Sequence, residues 1–300
     1  MEVSAHGYLA RENVTLRDPD ARIRGWASAH DRAAGRMLLS FVVDHDLADD
    51  VADDVASTLL AWGDEAARHI GAERGLAVQQ IDTGAFAGDQ RQRRWLARAG
   101  FGHVRTWWQM TRPTSAVDAD GYLAAKEGVQ IRRVRRQGSG MPDEDDLRTV
   151  HDILESAFAD HFNSHEETFD EFVTRLREDP GHRWDCWWIA ELVDDGHAGA
   201  ARAAGALVGS VSEGRAGSPD GSYVEYIGVL QSARGRGVAK SLLNTVIADA
   251  AVSGRDRVGL EVDADSPTGA DGLYLSMGWT TTYVTESWHR DLPVTTSSPS

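Results

Sequence analysis

The stretch Arg234-Gly-Arg-Gly-Val-Ala239, which we call the glycine loop, decides the fold class because it joins two segments with different hydrophobic patterns. Before it, the apolar and aromatic run from Tyr223 to Val229 predicts a buried strand. After it, apolar residues recur at helical spacing as far as Gly254, which predicts an amphipathic helix. This order brings backbone N–H groups and the positive end of a helix to one point, so it predicts an anion-binding site in an α/β protein.

The residue sequence of the glycine loop excludes two common phosphate-binding motifs. A Walker loop would need glycine at positions 234 and 239 before Lys240-Ser241, where this chain has Arg234 and Ala239. A dinucleotide-binding fingerprint would need a third glycine at position 240, which is Lys240. The predicted anion-binding site is therefore neither a Walker site nor a dinucleotide-binding site.

Composition and charge limit the possible partners. The chain has 300 residues, 41% of them apolar and 26% charged, which is typical of a globular protein with room for two domains. Its net charge of −16 disfavours binding to nucleic acid. No apolar run reaches the roughly 18 residues of a membrane span, and no apolar signal segment opens the chain, so we expect a cytoplasmic protein without a membrane partner. The single Cys186 excludes an intrachain disulfide and a cysteine-rich zinc site.

A stretch rich in breaking residues, 113–127, predicts an exposed linker between two domains. We assign residues 1–115 to the first domain, 116–127 to the linker and 128–300 to the second domain. The first domain has the predicted order β-β-β-α-β-α-β. Its recognisable segments are the strands 21–30, 36–45, 76–81 and 103–111 and the helices 51–70 and 90–99.

The second domain repeats this order with additional elements in front. Its predicted strands are 129–134, 183–192, 203–211, 223–229, 258–262 and 280–288, and its predicted helices are 143–158, 168–178, 238–250 and a short one through Tyr274. Both halves end with a glycine–aromatic turn, Ala99-Gly-Phe101 and Met277-Gly-Trp279, before a strand that bears tryptophan. We therefore predict a repeat at domain scale, whose first copy lacks the opening strand and two helices.

The first copy carries an acidic segment where its glycine loop would stand. Asp44 to Asp54 contains six aspartates and no glycine, so it would repel a pyrophosphate. In the following helix, Trp95, Leu96 and Ala97 offer no tyrosine hydroxyl. These features predict a degenerate copy that packs against the second domain or shapes its acceptor pocket.

Three spaced motifs of the second half resemble the GNAT superfamily of acyl-CoA-dependent N-acyltransferases. They are Tyr223-Val-Glu-Tyr-Ile-Gly-Val229, the glycine loop, and the segment from Val262 to Tyr274 with Met277-Gly-Trp279. The resemblance implies an α/β fold with two GNAT-like domains, each a mostly antiparallel mixed sheet with flanking helices. The tandem arrangement is similar to that of mycothiol synthases.

The resemblance also implies roles for residues at matching positions. In the family, the glycine loop holds the pyrophosphate of coenzyme A, the strand before it holds the pantetheine arm, and a tyrosine, here Tyr274, protonates the departing thiolate. Ser266 stands where many members have asparagine. The coenzyme-binding candidates are Ile227, Val229, Arg234, Gly235, Arg236, Gly237, Val238, Ala239, Ser241 and Ser266.

The chemistry of amine acylation also needs a base. Glu225 lies nine residues before Arg234, where some family members have a carboxylate that deprotonates the amine, and Tyr223 shares its face of the strand. The alternative for Glu225 is a solvated glutamate. The alternative for Tyr274 is a residue that only packs in the core.

Two weaker groups of residues complete the candidates. His161 and His165 lie four apart, which suits a metal, but no third ligand stands out and we expect none. Together with Phe158 and Phe162 they are candidates for lining the acceptor pocket, and a solvated loop is the alternative. The tryptophans Trp184, Trp187 and Trp188 are predicted to alternate along one strand and pack on both faces, with Cys186 as inert packing beside them.

The resemblance, together with these residues, implies an acetyl-CoA-dependent N-acetyltransferase that acts on a small-molecule amine by direct transfer in a ternary complex. Two alternatives stay open. One is mycothiol synthase activity, and the other is an acyl-CoA-binding regulatory module without turnover. The sequence leaves open whether the protein is a monomer or a homodimer.

Overall fold

The computed structural model describes residues 11–32, 35–120, 125–136, 138, 140–159, 168–177, 184–193, 201–214, 217–266 and 269–294. The chain forms two compact units. The first unit contains residues 1–108, 263–265 and 283–300, and the second contains residues 109–262 and 266–282. The chain therefore enters the second unit at residue 109, returns to the first unit briefly at residues 263–265, and returns again within its last strand.

The first unit has the predicted order β-β-β-α-β-α-β. Its elements are β1 (Arg11–Arg17), β2 (Ile23–Arg32), β3 (Arg36–Val43), α1 (Asp49–Glu73), β4 (Val78–Phe86), α2 (Gln90–Arg98) and β5 (Gly102–Pro113), the last of which continues into the second unit. Strands β1, β2 and β3 are antiparallel, whereas β4 runs parallel to β3. The long helix α1 is the crossover that a parallel pair requires.

The core of the first unit lies between α1 and the sheet. Met37 and Leu39 of β3 are fully buried, as is Leu59 of α1. A Cβ atom at Gly63 of α1 would lie 2.7 Å from Leu39 Cδ2, so this glycine allows the helix to approach the strand closely. The helix ends before Gly75, whose φ of +66° reverses the chain.

The second unit has the predicted second set of elements and one additional short helix, in the stretch predicted as a linker. They are α3 (Ala116–Asp120), β6 (Val129–Arg133), α4 (Glu144–Phe158), α5 (Phe169–Arg177), β7 (Trp187–Leu192), β8 (Arg202–Ser212), β9 (Gly221–Val229), α6 (Val238–Val252), β10 (Arg257–Asp263), α7 (Ala270–Ser276) and β11 (Thr280–Pro293), which ends in the first unit. Strands β6 to β9 form an antiparallel sheet in the order β6-β7-β8-β9, and β10 is parallel to β9. The parallel pair β9/β10 across α6 repeats the pair β3/β4 across α1.

Two helices cover opposite faces of strands β8 and β9. A Cβ atom at Gly205 would lie 2.7 Å from Val238 Cγ1 of α6, whereas one at Gly228 would lie 3.0 Å from Ala157 Cβ of α4. Gly228 pairs with the residue after Gly205, so the two glycines face opposite sides of the sheet. Missing side chains thus let α6 lie directly on β8 and α4 lie directly on β9, the strand that leads into the glycine loop.

Three expectations about local structure need correction. Trp184 lies in a 3-10 turn that ends at Cys186, and the strand begins at Trp187, so the three tryptophans do not alternate along one strand. Strand β4 extends to Phe86 and β11 to Pro293, beyond the predicted ends, because the two strands pair with each other over nine positions. The pairing joins segments about 200 positions apart in the chain, so the local pattern of neither segment shows it.

The stretch predicted as a linker contains the short helix α3. Asp118 of this helix accepts hydrogen bonds from Ser115 N at 2.9 Å and from Arg112 at 2.7 Å, and the Arg112 bond is the main cause that lowers the pKa of the Asp118 carboxyl. Arg112 Nε also donates to the carbonyl of Met277 at 2.9 Å, which ties the stretch to the turn after α7. The functional division of the chain at residues 116–127 stays a prediction. Within the described ranges, no helix combines the length and apolar character needed to cross a membrane.

Candidate active site

The glycine loop forms a tight connection at the start of α6. After β9, a 3-10 turn ends at Ala233, and the backbone of Arg234 is extended. Gly235 and Gly237 then adopt φ values of +76° and +84°, a left-handed conformation that residues with a Cβ atom adopt only with strain. Gly237 is the N-cap of α6 and provides no side chain to accept from the first N–H groups of the helix. These N–H groups are therefore available to an anion.

Cationic side chains flank these N–H groups. Arg234 and Lys240 are exposed, and among the described residues no carboxylate lies within ion-pairing distance of either. Arg236 is half-buried. Arg234 and Lys240 thus keep their positive charge at the helix N-terminus, in a protein with a net charge of −16.

The other predicted coenzyme-binding residues of α6 are buried or half-buried. Val238 is 1% exposed and packs against β8, so it offers only its backbone N–H. Ser241 is also buried, and its hydroxyl oxygen accepts from Lys126 N at 3.3 Å. Ala239 is half-buried.

Strand β9 separates from β10 before it reaches the glycine loop. The two strands pair from Ser222↔Val258 to Val224↔Leu260, although β9 continues to Val229 and β10 to Asp263. In a strand, successive residues direct their backbone groups to opposite neighbours. Part of the backbone of residues 225–229, including the half-buried Ile227 and Val229, therefore faces the side from which β10 has diverged.

A β-bulge marks the point of separation. Val208 of β8 lies opposite Tyr226 and Gly209 lies opposite Val224, so Glu225 is the extra residue. Bulges redirect side chains and are common next to active sites. The Glu225 carboxylate is exposed and accepts a hydrogen bond from Ser210 Oγ at 2.6 Å. Ser210 lies opposite Tyr223, so Tyr223 and Glu225 share a face of the sheet.

The same face carries an aromatic surface next to the bulge. Tyr226 is 37% exposed, and its ring lies edge-on to that of Phe158, 6.4 Å between centroids, at the end of α4. Tyr223 is half-buried on the same face of the strand. The predicted pocket residues His161, Phe162 and His165 lie outside the described residues.

Tyr274 lies in α7, the helix that follows β10. Its ring packs edge-on against Trp279 at 6.0 Å, and Trp279 Nε1 donates to Val258 O at 3.1 Å. The side chain is 6% exposed, and this burial raises the pKa of the hydroxyl to about 12. The hydroxyl is therefore protonated at neutral pH and can donate. Because β9 and β10 are parallel, the segments that follow them start from the same edge of the sheet.

Ser266 lies in the turn that leads to α7. It is half-buried, and its carbonyl accepts from Gly269 N at 3.5 Å. Gly269 precedes the helix with a φ of +63°. Ser266 therefore stands four residues before the start of α7, at the edge to which β10 leads.

The first unit lacks the corresponding loop and tyrosine. Helix α1 begins after Ala48 without a glycine. Leu96 lies four residues before Gly100, as Tyr274 lies four residues before Gly278, and it is fully buried. Phe101 N bonds to Leu96 O at 3.0 Å just as Trp279 N bonds to Tyr274 O at 3.1 Å, so the two turns correspond. A leucine thus occupies the place of the tyrosine.

Two aspartates of the acidic segment, Asp44 and Asp53, are engaged by arginines of the first unit. Asp44 pairs with Arg24 at 2.7 Å, and this bond is the main cause that lowers the pKa of Asp44. Asp53 accepts from Trp95 Nε1 at 2.6 Å, and from Arg94 and Arg98, and the Trp95 bond contributes most to lowering its pKa. The start of α1 is thus acidic, and ion pairs to arginines already occupy the carboxylates of Asp44 and Asp53.

Sequence reasoning missed Ser210 and Lys126. The place of Ser210 depends on its cross-strand partner, and that of Lys126 on a contact between segments 115 positions apart in the chain. The only sequence signal for Lys126 is its rarity, because Lys126 and Lys240 are the only lysines among 31 basic residues.

Comparison with known proteins agrees with this geometry. Residues 149–279 match the model of the acetyltransferase (GNAT) family. No curated protein matches the chain. The second unit, with its bulged strand, glycine loop and buried tyrosine, is therefore an acetyltransferase domain of the GNAT family.

Solved structures extend the similarity to the first unit. A GCN5-related N-acetyltransferase from Sphaerobacter thermophilus has 23% identity and a TM-score of 0.69, with 94% of this chain and 81% of that chain covered. A tandem GNAT protein from the clavulanic acid biosynthesis pathway has 14% identity and a TM-score of 0.67, with 94% and 83% covered. A GCN5-related N-acetyltransferase from Kribbella flavida has 14% identity and a TM-score of 0.52, with 94% and 90% covered. At these identities the likeness shows the fold, and that fold is the tandem GNAT architecture.

Proposed function

We propose that this protein is an acetyl-CoA-dependent N-acetyltransferase that acetylates a small-molecule amine by direct transfer in a ternary complex, at a site in its second unit. The observation that carries the proposal is the arrangement along β9, where a bulged glutamate, a separation from β10 and the glycine loop follow one another within 15 residues, Glu225 to Ala239. A domain that kept only the fold and bound no ligand would not require all three features.

The glycine loop fits the pyrophosphate of coenzyme A. The N–H groups at the start of α6 carry no side-chain cap, and a Cβ atom at Gly235 would meet no atom within 4 Å, so the backbone is accessible. Arg234 and Lys240, which have no carboxylate partner in the described part of the chain, add positive charge. The separated backbone of residues 225–229 would bind the pantetheine arm, whose thioester supplies the acetyl group. Arg236 and Ser266 would make further contacts.

Glu225 would act as the base. An amine is protonated at neutral pH and must lose a proton before it attacks a thioester. The exposed carboxylate on the bulge can take that proton directly or through a water molecule, and the hydrogen bond from Ser210 fixes its orientation. Tyr223, Tyr226 and Phe158 would contact the apolar part of the acceptor, together with His161, Phe162 and His165.

Tyr274 would act as the acid. As the tetrahedral intermediate collapses, negative charge develops on sulfur, and a protonated hydroxyl stabilises it by donating a hydrogen bond. An ordinary thiol has a pKa of about 8.5, and an apolar site raises it, which brings it nearer to the pKa of about 12 of Tyr274. Proton transfer from Tyr274 to sulfur then completes the step, and solvent returns the proton to Tyr274.

A thiol-release assay with purified protein and acetyl-CoA tests the proposal across a panel of amines. The panel includes amino sugars, because a structural neighbour, of which this chain covers 33%, is named as a glucosamine N-acetyltransferase region of a fungal enzyme. It also includes aminoglycosides, polyamines, amino-acid derivatives and a glycosylated inositol amine, the last of which tests mycothiol synthase activity.

Each outcome discriminates between the candidate functions. Turnover with any amine, together with saturable acetyl-CoA binding, supports the enzyme. Tight acetyl-CoA binding without turnover on the whole panel favours a binding module. Absence of acetyl-CoA binding contradicts both.

A further inference from the structure

Lys126 reaches the glycine loop from a distant part of the chain. It precedes β6, and its backbone is fixed on both sides. Its N–H donates to Ser241 Oγ in α6 at 3.3 Å, and its carbonyl accepts from Val129 N at 2.8 Å. The residue is therefore anchored at the N-terminal end of α6, outside the motif that defines the loop.

The side chain of Lys126 lies across Gly237. A Cβ atom at position 237 would lie 2.7 Å from Lys126 Cδ and 3.3 Å from Lys126 Cβ. Because Gly237 directly precedes the first residue of α6, the aliphatic stem runs over the point where the helix presents its N–H groups. The absence of a side chain at Gly237 thus serves two purposes, a left-handed backbone and space for this lysine.

The ammonium group of Lys126 has no counter-ion among the described residues. Lys126 is exposed, and across the described ranges no carboxylate lies within 4.0 Å of its Nζ. Several arginines of the second unit are paired, for example Arg132 with Asp146 and Arg255 with Asp249. Because Nζ is only two bonds beyond the Cδ atom that lies over Gly237, the ammonium can reach an anion bound by the N–H groups of α6.

We propose that Lys126 is a further coenzyme-binding residue, whose ammonium binds the pyrophosphate held by the glycine loop. This inference rests on the proposed function, because it names an additional contact of the same site. Lysine suits the task, since its compact charge sits on a flexible stem that can follow a phosphate oxygen. A single contact between an ammonium and a phosphate in a solvent-exposed site changes affinity by about tenfold.

Calorimetry with acetyl-CoA on the full chain tests this contact. We expect Lys126→Gln to raise the Kd about tenfold and Lys126→Arg to restore most of the affinity. Arg148→Gln is the matched control, because it removes one exposed cation from the second unit at the far end of α4, where Arg148 pairs with Glu144. Its Kd should equal that of the parent. Circular dichroism melts of each variant exclude unfolding as the cause.

A second ligand distinguishes the two phosphate groups of coenzyme A. With dephospho-acetyl-CoA, which lacks the 3′-phosphate, the ratio of the Kd of Lys126→Gln to that of the parent should stay the same. An unchanged Kd for Lys126→Gln would overturn the inference, and so would a loss that disappears with the dephospho ligand. If the parent itself binds no acetyl-CoA, the proposed function fails and the inference fails with it.

Discussion

Replacing Tyr274 with phenylalanine removes one hydroxyl and keeps the packing of the ring. The ring of Tyr274 lies 6.0 Å from that of Trp279, and the side chain is 6% exposed, so phenylalanine fills the same space. If the hydroxyl protonates the thiolate, the variant loses a stabilising group that acts only late in the reaction. Loss of one general acid lowers kcat by about 100-fold, which corresponds to about 2.7 kcal/mol of activation free energy.

The assay measures kcat, KM and coenzyme affinity separately. We expect kcat to fall while the Kd for acetyl-CoA from calorimetry stays within about twofold, because the thiolate does not exist in the bound ground state. The amine with the fastest turnover in the panel serves as acceptor. The control is Tyr283→Phe, the same change at a tyrosine that is 49% exposed and lies in the first unit. An unchanged kcat in Tyr274→Phe, or a change in Kd alone, would remove Tyr274 from the proton transfer.

Two further predictions concern pH. Glu225→Gln should move the pH profile of activity to higher pH, because without the base only amine that is already deprotonated can attack. Ser210→Ala should reduce kcat less than Glu225→Gln does. A pH profile of Glu225→Gln that overlays that of the parent would show that Glu225 has only a structural role. Burial, followed by the nearby Arg11 and Arg32, lowers the pKa of His30 to about 4 from its ordinary value of 6.5. The neutral form is thus favoured in the folded state, and the contribution of His30 to stability is complete above pH 6.5 and is lost as the pH falls toward 4. Urea unfolding at a series of pH values should show a smaller loss of stability over this window for His30→Gln, and equal slopes would contradict the assignment.

The local pattern of the chain predicts much of the fold and the position of the glycine loop. The loop and α6 follow from neighbouring residues, because glycine spacing and helical periodicity are properties of a continuous segment. The correspondence of Ala99-Gly-Phe101 with Met277-Gly-Trp279 likewise predicts the repeat, which the two parallel strand pairs confirm.

Features that depend on contacts between segments could not be predicted in this way. The bulge at Glu225 is defined by the register of β8 against β9, and alternation along β9 alone does not show it. The extension of β11 to Pro293 depends on its pairing with β4. The ion pairs that close the start of α1 bring Arg94 and Arg98 to Asp53 across more than 40 positions of the chain.

The stoichiometry of coenzyme binding tests the central claim most directly. Arg234 and Lys240 at the glycine loop have no carboxylate within ion-pairing distance among the described residues, whereas α1 begins without a glycine and next to several aspartates, of which Asp44 and Asp53 are held by arginines. A pyrophosphate placed there would meet carboxylates, each opposing it by about 1 kcal/mol even at the dielectric constant of water. We therefore expect calorimetry to give one acetyl-CoA per chain, and Arg234→Glu to abolish binding altogether. A stoichiometry of two acetyl-CoA per chain would show that the first unit also binds the coenzyme and would contradict the account. The same holds if the parent binds two acetyl-CoA and Arg234→Glu still binds one.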